Sequence, residues 1–324
     1  MNRTLLAIAL AALAGVASAQ AQSYPSRPIT IIVPFAPGAG ADISARIAGE
    51  YMSRSLGVQI VVENTAGGGG TTGTTRSARS APDGYTIALG HMGTHAASVP
   101  LHPNLAYDPR VDFEPIGLIV AQPIVLLTRR DFPANNLREF VAYAKANEAK
   151  LNLAHAGVGS VSFTSCLLLN AAIGIKPTAV PFSGTAPAMN AILGSQVDYL
   201  CDTVLGAVPQ HKADKVKVLA IATNTRNAAL PDVPTAAEGG VPAFDSAPFF
   251  GLFVPKGTPK PVIDKLADAL DKALDDEGAR KRLEGLGADI PEKPQRGPAG
   301  LAAVVRSEIA RLTPILAPYA VKGN

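Results

Sequence analysis

The sequence predicts an α/β protein of two lobes, and three observations carry that expectation. Short β-branched or apolar runs end in glycine-rich turns that open helix patterns, first at residues 34–42 and again at residues 157–162, so one strand–loop–helix corner recurs in both halves. With 324 residues the chain is long enough to bury more than one core. Two extended stretches, residues 113–130 with Pro123 inside and residues 249–254, are placed to carry the chain between lobes.

The first corner organises the rest. Ile29, Thr30, Ile31, Ile32 and Val33 read as a buried strand, which Pro34 and Pro37 then terminate. Asp42 is the expected N-cap of a helix whose apolar face carries Ile43, Ile47 and Tyr51 and which Gly57 ends. Gly38 and Gly40 let the backbone approach a ligand, so free N–H groups and the helix dipole point into one small space. That arrangement suits a carboxylate or other small anion; the alternative is a tight turn whose glycines serve geometry alone. A dinucleotide fingerprint would need glycine where the chain has Ile43.

Composition, at 47% hydrophobic and 17% charged, is that of a globular protein. Residues 1–21 read as a secretory signal, with Asn2 and Arg3 before an apolar run and small-residue cleavage sites at Ala19 or Ala21. No later run reaches the length of a membrane span. The expected product is therefore soluble and periplasmic. A formal charge of +3, scattered along the chain, gives no footprint for nucleic acid. Cys166 and Cys201 are the only cysteines; in an oxidising compartment they either form one disulfide or stand as two buried thiols. No Cys-x-x-Cys spacing offers a metal site.

Further along, residues 58–62 form a second strand pattern before Gly67, Gly68, Gly69 and Gly70, a turn without the Gly-Lys-Ser/Thr ending of a phosphate loop. A third strand, residues 85–89, runs into Gly90, His91, Met92, Gly93, Thr94 and His95. A zinc site from His91, His95 and His102 is set aside, because Met92 stands where a His-Glu-x-x-His motif has glutamate and glycine interrupts any helix; the segment is read as a loop able to offer Thr94 or a histidine to a ligand. In the second half, helix and strand patterns at residues 137–144 and 151–154 precede Gly157, Gly159, Ser160 and Ser162. A hydrolase elbow would need glycines at Val158 and Ser162, so Ser160 is no such nucleophile. Ser160 and Ser162 either present hydroxyls beside a helix start or simply cap it. Residues 181–185, containing Ser183 and Gly184, turn into a helix reaching Leu193. A strand at residues 197–201 then ends at Asp202, an acid that either meets an ammonium or hydroxyl on a ligand or caps the next helix. A strand at residues 216–222, an amphipathic helix through Ile263, Leu266, Leu270 and Leu274, and a last helix over residues 300–316 complete the chain.

Read together, these residues resemble the Bug proteins, the extracytoplasmic solute receptors of tripartite tricarboxylate transporters. The family's Pro-Phe-x-Pro-Gly-Gly-x-x-Asp-x-x-Ala-Arg is matched from Pro34 to Arg46, and its Val-Val-Glu-Asn through Pro-Asp-Gly-Tyr from Val61 to Tyr85. Asp108-Pro109, Asp112-Phe113, Pro181 with Gly184 and Ala186-Pro187-Ala188, Leu230 to Thr235 with Glu238, and Gly251-Leu252-Phe253 with Gly257-Thr258-Pro259 follow in order. The chain departs at Ala39, where a second glycine is usual, and at Thr65-Ala66, where Arg-Pro is usual.

The resemblance implies a type II periplasmic binding protein with a ligand cleft between its lobes, residues 22–121 and 250–324 forming one and 122–249 the other. It also implies carboxylates held by backbone N–H groups and waters without an arginine clamp. The expected ligand is a small carboxylate, either a dicarboxylate or an acidic amino acid such as aspartate or glutamate. Neither enzyme chemistry nor a cofactor is expected; the partners are the membrane subunits of the transporter, and the receptor is a monomer. The expected ligand-binding residues are Phe35, Pro37, Gly38, Ala39, Asp42, Gly90, His91 and Thr94 from one lobe, and Gly159, Ser160, Ser162, Ser183, Gly184 and Asp202 from the other. Competing readings are an exported hydrolase or nucleotide-dependent enzyme, and a ligand-responsive partner of a membrane sensor.

Overall fold

The computed structural model describes residues 24–321; the expected signal at residues 1–21 lies outside them. Ten strands form two five-stranded sheets, and the helices of eight or more residues are numbered here in chain order. The first sheet has the order β2-β1-β3-β10-β4, from β1 (Ile29–Val33), β2 (Ile60–Asn64), β3 (Thr86–His91), β4 (Phe113–Ala121) and β10 (Phe249–Pro255). The second has the order β7-β6-β8-β5-β9, from β5 (Ile124–Arg129), β6 (Asn152–His155), β7 (Thr178–Pro181), β8 (Tyr199–Thr203) and β9 (Val216–Ile221).

The two sheets share one plan. In each, three strands run parallel and a fourth, β10 or β5, is antiparallel to the neighbours on both its sides. Both antiparallel strands directly adjoin a crossing between lobes. The chain leaves the first sheet after β4 and enters the second at β5 through Gln122 and Pro123, and it returns just before β10. The two crossings are tied together, Gln122 N donating to Pro248 O at 2.9 Å and Ile124 N to Ser246 O at 3.0 Å.

Helices cover the sheets because each strand–loop–helix corner returns the chain across a sheet face. They are α1 (Gly40–Leu56), α2 (Thr71–Ala78), α3 (Leu137–Ala146), α4 (Val161–Ile173), α5 (Thr185–Leu193), α6 (Val204–Lys212), α7 (Lys260–Asp275), α8 (Glu277–Gly285) and α9 (Pro298–Leu316). The apolar stripe of α7, with Leu266, Leu270 and Leu274 buried, packs on α1 and β4.

Three local expectations are corrected. The N-cap of α1 is Ala39, not Asp42, because Asp42 is occupied as an acceptor for the Gly38 N–H at 3.0 Å and for Arg46 and Asn64. The segment after β3 is helical rather than a loop: residues 93–97 form a wide turn, held where Ser98 Oγ donates to Gly93 O and Tyr107 OH to Thr94 O, and a short helix, Ser98–Leu101, follows. Glycine is required at 93 for another reason, since a Cβ there would overlap the Gly159 carbonyl of the other lobe. Finally, the turn expected at residues 181–185 is preceded by a strand that was not expected, β7, an edge strand of four residues with mostly exposed side chains and no apolar run to announce it.

Cys166 on α4 and Cys201 on β8 are joined in a disulfide that closes a separation of 35 residues inside the second lobe's core. On loop-entropy grounds its removal costs about 3–4 kcal/mol. The Cys166→Ala/Cys201→Ala protein is expected to show a correspondingly lower urea midpoint by circular dichroism, and an unchanged midpoint would mean that the cross-link adds nothing to a core already held by packing.

Candidate functional site

One small cavity lies between the lobes. It is lined by Phe35, Ala39, Gly40, Ala41, His91 and Phe250 from the first lobe and Ala156, Ser160, Val161, Ser162, Thr185, Asp202 and Thr203 from the second. Four helix beginnings meet here: Ala39 to Ala41 open α1, Ser160 caps α4, Thr185 starts α5 and Thr203 caps α6. The first N–H groups of a helix have no intrahelical partner and carry the positive end of its dipole, so these four turns make the cavity a receiver of negative charge. No lysine or arginine is among the lining residues.

The first wall is an aromatic stack. Phe35 stacks on His91 at 5.1 Å between ring centroids with 25° between their planes, and Phe250 lies tilted against the same imidazole at 5.3 Å. His91 Nδ1 accepts from the backbone N–H of Gly93 at 3.0 Å and of Thr94 at 3.3 Å. With Nδ1 an acceptor, the neutral ring carries its proton on Nε2 and is a donor in the cavity wall. Burial pushes its pKa down to about 3, which keeps it neutral. The loop before α1 is clamped from behind: Asp42 accepts from the Gly38 N–H, from Arg46 and from Asn64 Nδ2, and Asn64 Nδ2 also donates to Phe35 O at 3.0 Å. Hydrogen bonds to its ionised form hold the Asp42 carboxyl below the usual carboxylate range against the opposing effect of burial.

The second wall is built on hydroxyls. Ser160 Oγ accepts from Phe163 N at 3.2 Å, Ser162 Oγ accepts from Ala156 N at 2.9 Å, and the two oxygens lie 3.2 Å apart. Asp202 Oδ1 accepts from Thr203 N at 2.8 Å, and burial raises this carboxyl's pKa while Thr203 N and the nearby Thr185 side chain act against the rise. Thr203 Oγ1 is buried and has no partner within the protein. Gly40 makes room for it, since a Cβ at that position would overlap the hydroxyl.

Of the expected site residues, Phe35, Ala39, His91, Ser160, Ser162 and Asp202 line the cavity, whereas eight do not. Asp42 and Gly38 brace the loop from behind, and Pro37 belongs to the same loop without reaching the lining. The Thr94 hydroxyl is engaged by His91 N and His95 Nδ1. Gly90 packs against the rings of His95 and Phe253. Gly159, at φ +84°, faces His102. Ser183 O accepts from Ala36 N at 3.4 Å and Gly184 abuts Ala36, so both serve the contact between lobes. Thr185 and Thr203 were missed although each directly follows a residue that was chosen; Phe250 had no local signal at all.

The lobes are shut over this space. Asp202 is 3% exposed and Ser160 1%. The Gly67–Gly70 loop seats against Val158 and Gly157, and a Cβ on Gly69 would overlap the Val158 carbonyl, while His102 Nε2 lies 3.2 Å from that oxygen.

Residues 44–317 match the model of a family described as the tripartite tricarboxylate transporter family receptor. A UPF0065 protein from the TAR-I ttuE-ttuC' intergenic region of Agrobacterium vitis is 39% identical over 318 residues, 98% of this chain and 91% of its own. Among solved structures, MatC from Rhodopseudomonas palustris with bound malate is 47% identical with a TM-score of 0.88, over 90% of this chain and all of the other. The periplasmic binding protein BugD is 41% identical with a TM-score of 0.88, over 91% and 98%.

Burial of two histidines behind the first wall has a measurable consequence. His91 and His95 both have pKa values pushed down to about 3 by burial, whereas an unfolded chain protonates histidine near 6.5. The unfolded state therefore gains protons that the folded state refuses, so stability is full above about pH 6.5 and falls toward pH 3 by up to about 1.4 kcal/mol per pH unit for each ring. Urea midpoints should drop between about pH 7 and pH 5, with a shallower slope in His95→Phe; equal slopes in the two proteins would refute this assignment.

Proposed function

We propose that this chain, which belongs to the tripartite tricarboxylate transporter receptor family, captures a small dicarboxylate in the cavity between its lobes. Members of that family are periplasmic solute-binding receptors of the Bug type rather than enzymes. The observation that carries the ligand class is the meeting of four helix N-termini in a closed cavity whose lining holds no lysine or arginine. Several weak, fixed dipoles suit an anion with charge at two ends better than a single counter-ion would. The malate bound by MatC, at 47% identity, supports the same class. In this reading one carboxylate lies against the Phe35 to Ala39 loop and the first turn of α1, and the other end of the ligand is addressed by Ser160, Thr185, Asp202 and Thr203. Asp202 also favours a second reading, an acidic amino acid whose ammonium would meet that carboxyl.

Among the described residues, 24–121 and 250–321 are assigned to one lobe and 122–249 to the other, closing as rigid bodies about the paired crossings. A ligand cannot enter the shut cavity, so capture requires an open form, and the closed form is what membrane subunits of the transporter would recognise. Export by the N-terminal segment would place the receptor beside those subunits; among the described residues no helix is long and apolar enough to cross a membrane.

Two experiments test this reading. A dye-based thermal-shift panel suits a chain without tryptophan. L-Malate or succinate at about 100 times its dissociation constant should add about 2.7 kcal/mol to the stability of ligand-free protein; folded, empty protein that responds to no dicarboxylate would refute the ligand class. Gly69→Ala, which touches no cavity residue but obstructs the closed form, should bind the same ligand at least about tenfold more weakly, with a stability loss of only about 1 kcal/mol from its left-handed backbone. Undiminished affinity would rule out closure at this seam.

A further inference from the structure

Asp202 is the one acid among the residues that line the cavity, and its charge is not compensated. It takes part in no ion pair among the described residues. Its Oδ1 is taken by the Thr203 N–H, and Oδ2 lies against Gly206 in the first turn of α6.

The titratable groups on the packed elements do not offset it. On β3, His91 is neutral; on β6, His155 is also pushed toward its neutral form by burial. On α1, Asp42 and Arg46 are paired with each other. On β5, Arg129 sits at the far end with Asp131 and Asp198. His211 and Lys212 lie in the last turn of α6, α5 carries no titratable side chain, and the Cys166 of α4 is in the disulfide.

Resting on the dicarboxylate reading above, we propose that Asp202 works as a protonated acid in the filled site, its hydroxyl donating to a ligand oxygen, so that a dianionic dicarboxylate is captured together with one proton from solvent. The balance is simple: the dianion and one proton enter, and Asp202 passes from carboxylate to carboxylic acid. Were Asp202 ionised, a dianion would share a water-excluded space with a third negative charge and no cation. Burial alone already holds the empty site's Asp202 up to about 7. An ammonium fits less well. It brings three donors, whereas Ser160 and Ser162 each already use one acceptor lone pair on the Phe163 or Ala156 N–H and share a further hydrogen bond with each other. Asp202 therefore becomes a specificity residue that prefers dicarboxylates lacking an amine.

Titration calorimetry with L-malate, on the folded, ligand-free protein, tests the proposal between about pH 6.5 and 8.5 in two buffers of different ionisation enthalpy. Near pH 8 the buffer dependence should report uptake of close to one proton per malate. Affinity should be nearly flat below about pH 7 and fall about tenfold per pH unit above it, since the folded pKa must be paid down by protonation before the dianion binds. In Asp202→Asn, which fixes a neutral donor at this position, both the proton uptake and the pH dependence should vanish. Malate binding without proton uptake and with constant affinity over this range would overturn the proposal, as would proton uptake that persists in Asp202→Asn. L-Aspartate binding more tightly than malate at about pH 8, with no proton taken up, would assign Asp202 to an ammonium instead. Folded protein that binds no dicarboxylate at any pH would refute the dicarboxylate reading itself, and this proposal with it.

Discussion

The N–H groups that open a helix have no partner inside it, and in this protein four such openings face one closed space. Everything else about the site follows from satisfying them. The glycine-rich corners exist because a side chain at Gly40 would collide with the Thr203 hydroxyl of the opposite lobe. The clamp of Asp42, Asn64 and Arg46 exists because the loop carrying Phe35 must be held from behind while its front stays free for a ligand. Arginine is absent from the lining because its charge, if buried, would be costly whenever the cavity is empty; fixed dipoles carry no such cost.

Closure rests on backbone meeting backbone. Gly69 lies against Val158, Gly93 against the Gly159 carbonyl and Gly184 against Ala36, so the two lobes approach through positions that tolerate no Cβ or barely any. Apolar side chains cross beside it, with Val158, Phe163, Leu167 and Leu168 of the second lobe packed against the first lobe's cluster around Leu101 and Tyr107. A ligand shifts the balance between open and shut only by its differential affinity for the two forms. The rigidity needed on either side comes from the two sheets, and in the second lobe also from the disulfide joining α4 to β8, which ties together the elements bearing Ser160 and Asp202.

Much of the fold was legible because its signals are local. β-branched runs ended by proline or glycine place β1 within a residue, and Gly57 ends α1 at φ 71°, as its lack of a Cβ allows. Ser160 was legible for the same reason, a serine ahead of an apolar helix, and here capping and lining proved compatible: its oxygen accepts from Phe163 N while facing the cavity. Asp42 misled because an acid in a helix's first turn looks the same in sequence whether it caps the helix or accepts from a neighbouring strand's Asn64. Thr94 misled likewise, since its hydroxyl found partners in His91 and His95 before any ligand.

The α/β character, the recurring corners and the acid at the end of β8 each depend on residues within a few positions of one another, and the family on local motifs repeated in order along the chain. Only the tertiary structure decided which of those groups share a cavity. Phe250 reaches it from a strand that returns after the whole second lobe, and Thr203 stays unpartnered because Gly40, more than 160 residues earlier, gives it room. The physical reason is that burial and orphaned hydrogen-bonding groups are properties of packing between distant segments, and no local pattern records them.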